Sequence, residues 1–169
     1  MTELPEPEPT GLTKAKVFRI AEAFADEVEF FPGDRLEPLI EQLGGTVTYL
    51  RGLDSIEAED GSLHVWGPED FEIKVSAFTG PVRDRFTIAH ELGHFVLHSD
   101  RGQKPIKAAR FGSNRVEWEA NWFAAAFLMP EEAFRKVCAK YDNDPDLVAA
   151  HFVVSSKAAE VRMQALEIS

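Results

Sequence analysis

The sequence predicts an α+β fold in which a small antiparallel sheet packs against a bundle of helices. Three observations carry that expectation. Apolar residues recur at helical spacing near the N-terminus, the period drops to two across the middle, and helical spacing returns beyond Pro81. With 169 residues, 44% of them hydrophobic and thirteen of them Phe, the chain suits one domain with one sizeable core.

Residues 1–11 alternate Glu with Pro, which cannot hold a helix and predicts a disordered, solvated acidic tail ahead of a single domain over residues 12–169. Leu12, Ala15, Phe18, Ile20, Ala21, Phe24 and Ala25 then mark a first helix, with Glu22, Asp26 and Glu27 for its wet face. A shorter helix follows Asp34, where Asp34 and Glu37 fit a capping box and Gly44-Gly45 end it. Three strand candidates come next: Val47 and Tyr49, then Leu63 and Val65, then Phe71, Ile73 and Val75. Turn-like stretches at 57–61 and 67–70 favour antiparallel pairing. Helices resume after Pro81, with breaks at 101–114, at Pro130 and around 143–145. Within the C-terminal helices of residues 131–169, the stretch 147–159 resembles a helix-turn-helix hairpin, with Ser155 or Ser156 capping its second helix.

Twenty-nine Asp and Glu against eighteen Lys and Arg give a net charge of −11, so neither nucleic acid nor an anionic membrane is the expected partner. The hairpin follows suit, because residues 141–169 carry five acidic groups against Lys157 and Arg162. Packing on the core or on a partner is its expected role, rather than direct nucleic-acid binding. The longest uninterrupted apolar run, 122–129, is eight residues, far short of the roughly 20 that span a bilayer. The N-terminus lacks the basic and apolar segments of a signal peptide, and the single Cys138 has no partner for an internal disulfide. A cytoplasmic location is expected.

The chemistry concentrates in residues 85–98, RFTIAHELGHFVLH. His90 and His94 are four apart, which on a helix puts both imidazoles on one face within reach of one ion. Two imidazoles suit Zn2+ and leave room for a third protein ligand and water. Glu91 could accept a proton from water rather than bind the metal. Gly93 costs about 1 kcal/mol in a helix interior relative to Ala, which points to a close neighbour, expected to be the sheet or the substrate. His98 extends the spacing, but three ligands on successive turns of one helix span about 12 Å, too far for one ion. His98 is therefore read either as a substrate or oxyanion contact or as a helix-end histidine near the negative dipole. Arg85, Tyr49 and Tyr141 are further oxyanion candidates. A third ligand is sought on the apolar helix of residues 115–128, where Glu117 and Glu119 lie about 200° apart and only one can face the histidines. Glu117 shares a stripe with Asn121, which could orient a ligand histidine. A capping box of Asn114 and Glu117 is the competing reading, and spacing alone does not choose between the two glutamates.

RFTIAHELGHFVLH followed by the ExEANxFAAAxLMP pattern of residues 117–130 resembles the ImmA/IrrE family of bacterial and phage zinc metallopeptidases. The resemblance is specific mainly over residues 83–130. It implies a zincin fold with a gluzincin-like active-site helix: His90, His94 and Glu117 as zinc ligands, Glu91 as general base and Glu119 as a helix-face residue. It also implies a zinc-dependent endopeptidase acting on a protein substrate, typically a helix-turn-helix repressor in a mobile-element or stress-response system. By analogy with related folds, residues 71–78 would receive the substrate as an added strand. The alternative is a non-cleaving, zinc-containing regulatory module that binds a transcription regulator or DNA. Glu91 favours the enzyme, since a purely structural site has no use for a general base. Around the site the charge reverses: residues 81–116 carry seven Lys and Arg against three acidic groups. The linker within that stretch, with Arg101, Lys104, Lys107, Arg110 and Arg115, reads as a solvated loop or a lid.

Overall fold

Helix α1 (Lys14–Glu27) starts at Thr13, whose side chain accepts from the Lys16 N–H, and buries Val17, Ala21, Phe24 and Ala25. It is the first element of a computed structural model that describes residues 3–51, 61–76, 79–109 and 114–169. Helix α2 (Leu36–Gln42) follows, but the expected capping box does not form. Its N-cap is Arg35, without a side-chain cap, while Asp34 Oδ2 accepts from the Phe31 N–H at 2.8 Å and closes the preceding turn instead.

The sheet contains β1 (Gly45–Leu50), β2 (Gly61–Gly67), β3 (Asp70–Ser76) and β4 (Ile106–Ala109), in the order β1-β3-β2-β4. It is mixed, not antiparallel: β2 pairs antiparallel with β3 and β4, whereas β1 runs parallel to β3. Only β2 and β3 are joined by a tight turn. The longer connection between β1 and β2 lets β1 pair with the second arm of that hairpin, not with its chain neighbour. The expected turn at 57–61 falls largely outside the described residues. Strand β4 lies inside the linker read as a loop; Ile106 and Ala108 point inward, alternating with exposed Lys107 and half-buried Ala109, a pattern too short to stand out among lysines. Because β3 is flanked on both sides, it has no free edge to accept a substrate strand.

Two helices form the centre. α3 (Pro81–Leu97) packs on the inward residues Leu63, Val65, Phe71 and Ile73 of the sheet and against α4 (Arg115–Leu128). The close neighbour of Gly93 is α4, not the sheet. A Cβ at Gly93 would sit 3.1 Å from Phe123 Cβ and 3.2 Å from the Ala120 carbonyl oxygen. Stacked Phe123 and Phe127, 5.6 Å apart, join Phe24 to lock α1 onto the other side of α4.

Helices α5 (Glu131–Lys140), α6 (Pro145–Phe152) and α7 (Ser156–Ala165) complete the chain. The α6–α7 hairpin, with Ser155 capping α7, packs on the core through Phe152, Val148 and Ala159. Arg162 is buried there, its Nε donating to the Met129 carbonyl at 2.9 Å and its guanidinium 4.6 Å from the Phe18 ring. Cys138 is buried and free. Among the described residues no helix is long and apolar enough to cross a membrane.

The N-terminal segment is held, contrary to the expected disorder. Pro5 O accepts from the Lys107 N–H at 2.9 Å on the outer edge of β4, and the N–H groups of Thr10 and Gly11 donate to the buried Glu119. The composition that forbids a helix leaves carbonyls and the non-proline N–H groups to find partners elsewhere; an edge strand takes the Pro5 carbonyl and a buried carboxylate takes the Thr10 and Gly11 N–H groups.

Candidate metal centre

Helix α3 presents His90, Glu91 and His94 as a cluster whose donor atoms lie within 4.8 Å of one another. Ile88, Leu92 and Phe95 bury the same helix, so the polar trio sits inside the protein: His90 is 0% exposed, and Glu91 and His94 are 1%. On the facing helix, the Asn114 side chain accepts from the Glu117 N–H at 3.1 Å, so the expected cap forms. The Glu117 carboxylate is nevertheless free to reach across. Its Oε2 lies 2.7 Å from His90 Nε2 and its Oε1 3.3 Å from His94 Nε2. Both readings of Asn114 and Glu117 thus hold, the backbone serving the cap and the side chain the site.

The outer nitrogens of the two imidazoles are also engaged. His90 Nδ1 is 2.7 Å from Asn121 Oδ1, and His94 Nδ1 is 2.9 Å from His98 Nδ1. His98 Nε2 in turn lies 2.8 Å from Glu119 Oε1. Donor and acceptor roles then follow along the chain of contacts. Glu119 accepts from His98 Nε2–H, which leaves the His98 Nδ1 lone pair to accept from His94 Nδ1–H. His94 Nε2 therefore carries a lone pair. In neutral His90 the Asn121 carbonyl fixes the same tautomer. Two nitrogen lone pairs and a carboxylate face one another across a buried space, an arrangement that repels unless a cation lies between them.

Electrostatics agree. Burial, foremost, lowers the His94 pKa to about 4, so that imidazole is neutral at pH 7. Burial alone would raise the Glu117 pKa; hydrogen bonds from His90 and His94, made when their Nε2 atoms carry protons, outweigh it and hold the carboxyl well below its usual range, so this carboxylate is stabilised by positive charge at that point, from a proton or from a metal. For Glu119 burial is likewise overcome, here by the Thr10 N–H, His98 and Arg115, which bring its pKa down to about 2. Arg115 Nε sits 3.0 Å from Glu119 Oε2.

Among the sequence-predicted residues, the fold brings together His90, Glu91, His94, Glu117 and Asn121. His98 joins them from behind. It is buried against Glu119, not turned toward a cleft, so substrate contact is not its place. Arg85 is elsewhere: its Nη1 donates to the Asp34 carbonyl and its guanidinium lies 5.8 Å from the Phe30 ring. Tyr49 shares that separate pocket, donating to Glu37 at 2.7 Å. Glu119, expected on a helix face, is wholly buried. The signal for it was present in the spacing, because His94 and His98 are four apart, as are Arg115 and Glu119.

The sequence profile described as IrrE N-terminal-like domain matches residues 40–164. The chain belongs to the ImmA/IrrE family of metallopeptidases. An ImmA/IrrE relative, the radiation response metalloprotease IrrE of Deinococcus deserti, is 32% identical over 133 residues, covering 76% of this chain and 44% of its own length. A solved structure titled as a Mycobacterium tuberculosis transcriptional regulator superposes with a TM-score of 0.62 at 20% identity, over 89% of this chain and 46% of that one. This ImmA/IrrE chain therefore spans less than half the length of either. The structural likeness places its fold.

Proposed function

We propose that the chain is a zinc-dependent endopeptidase that cleaves a protein regulator of transcription, with His90, His94 and Glu117 holding the zinc, in the cytoplasm. The observation that carries this reading is the convergence of two imidazole lone pairs and one carboxylate on a single buried point, with Glu91 beside it. A nitrogen, nitrogen, oxygen donor set whose outer atoms are already hydrogen-bonded fits zinc, and leaves a position for water. When bound, the zinc would polarise the scissile carbonyl and acidify water nearby. Glu91 then takes a proton from the attacking water and returns it to the leaving amide nitrogen. Asn121 and His98 keep the two imidazoles in the tautomer that presents Nε2 inward.

The test is metal analysis together with cleavage. Purified native chain should carry about one zinc per molecule, Glu117→Ala should lose it, and Glu91→Gln should keep it. Co-expressed with candidate helix-turn-helix regulators from the same genome, native chain should cut one of them and Glu91→Gln should leave it intact. Zinc retained by Glu117→Ala rejects the ligand set. Zinc bound by native chain with every regulator equally intact in both cases favours a non-cleaving regulatory module instead.

A further inference from the structure

A groove of about 940 Å³ runs between α1, the start of α3, α4 and α7. Its lining is mainly apolar, with Phe18, Phe86 and Trp122 along it and Trp118 and Val161 each 47% exposed at the rim. At one end lie Thr87 and Asn121. Asn121 holds His90 Nδ1 at 2.7 Å, and Thr87 lines the same side as Glu91: a Cβ added at Gly61 would stand 2.6 Å from Thr87 Cγ2 and 3.9 Å from Glu91 Oε1. One end of the groove therefore meets two residues that adjoin the candidate metal centre, Asn121 behind His90 and Thr87 one turn before Glu91.

Its charge is one-sided. The charged residues lining it are Lys14, Arg83, Lys157 and Arg162, with no carboxylate among them, in a chain of net charge −11. Arg162 is buried and committed to Met129 and Glu22. Lys14, Arg83 and Lys157 are exposed. Lys14 Nζ lies 5.7 Å over the Trp122 ring, and neither Lys14 nor Lys157 has a carboxylate partner among the described residues. In the basic linker, Arg101 pairs with Glu27 at 2.5 Å and Arg115 with Glu119. The chain's own acidic tail is already placed against β4 and Glu119, so it is not the occupant. An apolar trough rimmed by Lys14 and Lys157 complements a segment that carries both apolar and acidic side chains, and it is too apolar to read as a phosphate-backbone track.

We propose that this groove docks a segment of the substrate protein in which apolar residues alternate with Asp or Glu, delivering the adjoining peptide bond to Glu91. The proposal rests on the peptidase reading and names the substrate class for it. The test measures binding apart from turnover. Full-length chain carrying Glu91→Gln is titrated against two fluorescein-labelled synthetic peptides, one alternating Leu and Glu and one alternating Leu and Lys, by fluorescence anisotropy. The Leu–Glu peptide should bind about tenfold more tightly than its Leu–Lys counterpart. Lys14→Glu with Lys157→Glu should remove that preference with an unchanged melting temperature. Val161→Ser, one turn along α7 from Lys157, removes apolar contact without changing charge and should weaken both peptides alike. Equal binding of both peptides, or affinity unmoved by these substitutions, overturns the proposal. Binding as described, without any cleavage of a regulator by native chain, rejects the peptidase reading alone. Cleavage unaffected by the two lysine reversals rejects the groove alone.

Discussion

Glu117 and Glu119 stand two residues apart, both buried, and only one of them faces both histidine Nε2 atoms. A helix packed on most of its circumference hides both carboxylates, so the usual cue of one wet and one dry face is missing. What separates them is which partner each meets across the interface with α3, a tertiary fact. The His90–His94 spacing needed no such help, because two imidazoles one turn apart on a helix converge whatever surrounds them. The depressed His94 pKa has a measurable consequence in metal-free protein. An imidazole at about 4 when folded and 6.5 when unfolded makes the unfolded chain bind more protons between those values, so stability falls as pH drops through that window. Glu117, lowered when folded, acts with the same sign, its contribution being lost toward acid. Urea titrations of chelated protein should lose about 2–3 kcal/mol between pH 7 and pH 4, and a flat profile would contradict a neutral buried His94.

At the scale of elements, the α3–α4 contact positions the site, and Gly93 sets its closeness. Alanine there would improve intrinsic helix propensity by about 1 kcal/mol, yet its methyl would meet Phe123 Cβ and a helical carbonyl rather than a flexible side-chain end. Gly93→Ala is expected to lower the melting temperature, with a net cost of about 1 kcal/mol, and to reduce zinc affinity by spreading His90 from Glu117. A variant as stable as the native chain would show that the interface can yield. The glycine signalled close packing in the sequence but not with what. The strands show the same limit. Their period of two was readable at Val47, Leu63 and Phe71, whereas the order β1-β3-β2-β4 depends on which strand edge each one pairs with, and periodicity carries no record of that.

Across the whole molecule, the N-terminal segment is continuous with the support of the metal centre. Thr10 and Gly11 hold Glu119, Glu119 fixes the proton on His98, and His98 fixes the tautomer of His94. Removing residues 1–11 should leave the fold cooperative but weaken zinc binding by about tenfold in chelator competition, the scale usual for losing an outer partner of a ligand histidine. Unchanged affinity would mean that Arg115 alone suffices to hold Glu119. The net charge of the molecule, read at first as simple acidity, is segregated: an acidic body surrounds a groove lined by four cations and no carboxylate. Any docking that uses it should weaken as salt rises.

The bond from Lys107 to Pro5 also bears on association between chains. β4 is the last strand of its sheet, and a bare last strand invites another chain to continue the ladder. The segment laid against it offers a carbonyl at Pro5, while Pro5, Pro7 and Pro9 lack the N–H groups that a regular ladder would need, so the segment covers the edge without becoming a full strand of the sheet. The glutamate–proline stretch thus covers part of an edge that would otherwise be open, and a chain shortened past it is expected to expose that edge at the same moment that it loses the Thr10 and Gly11 bonds to Glu119.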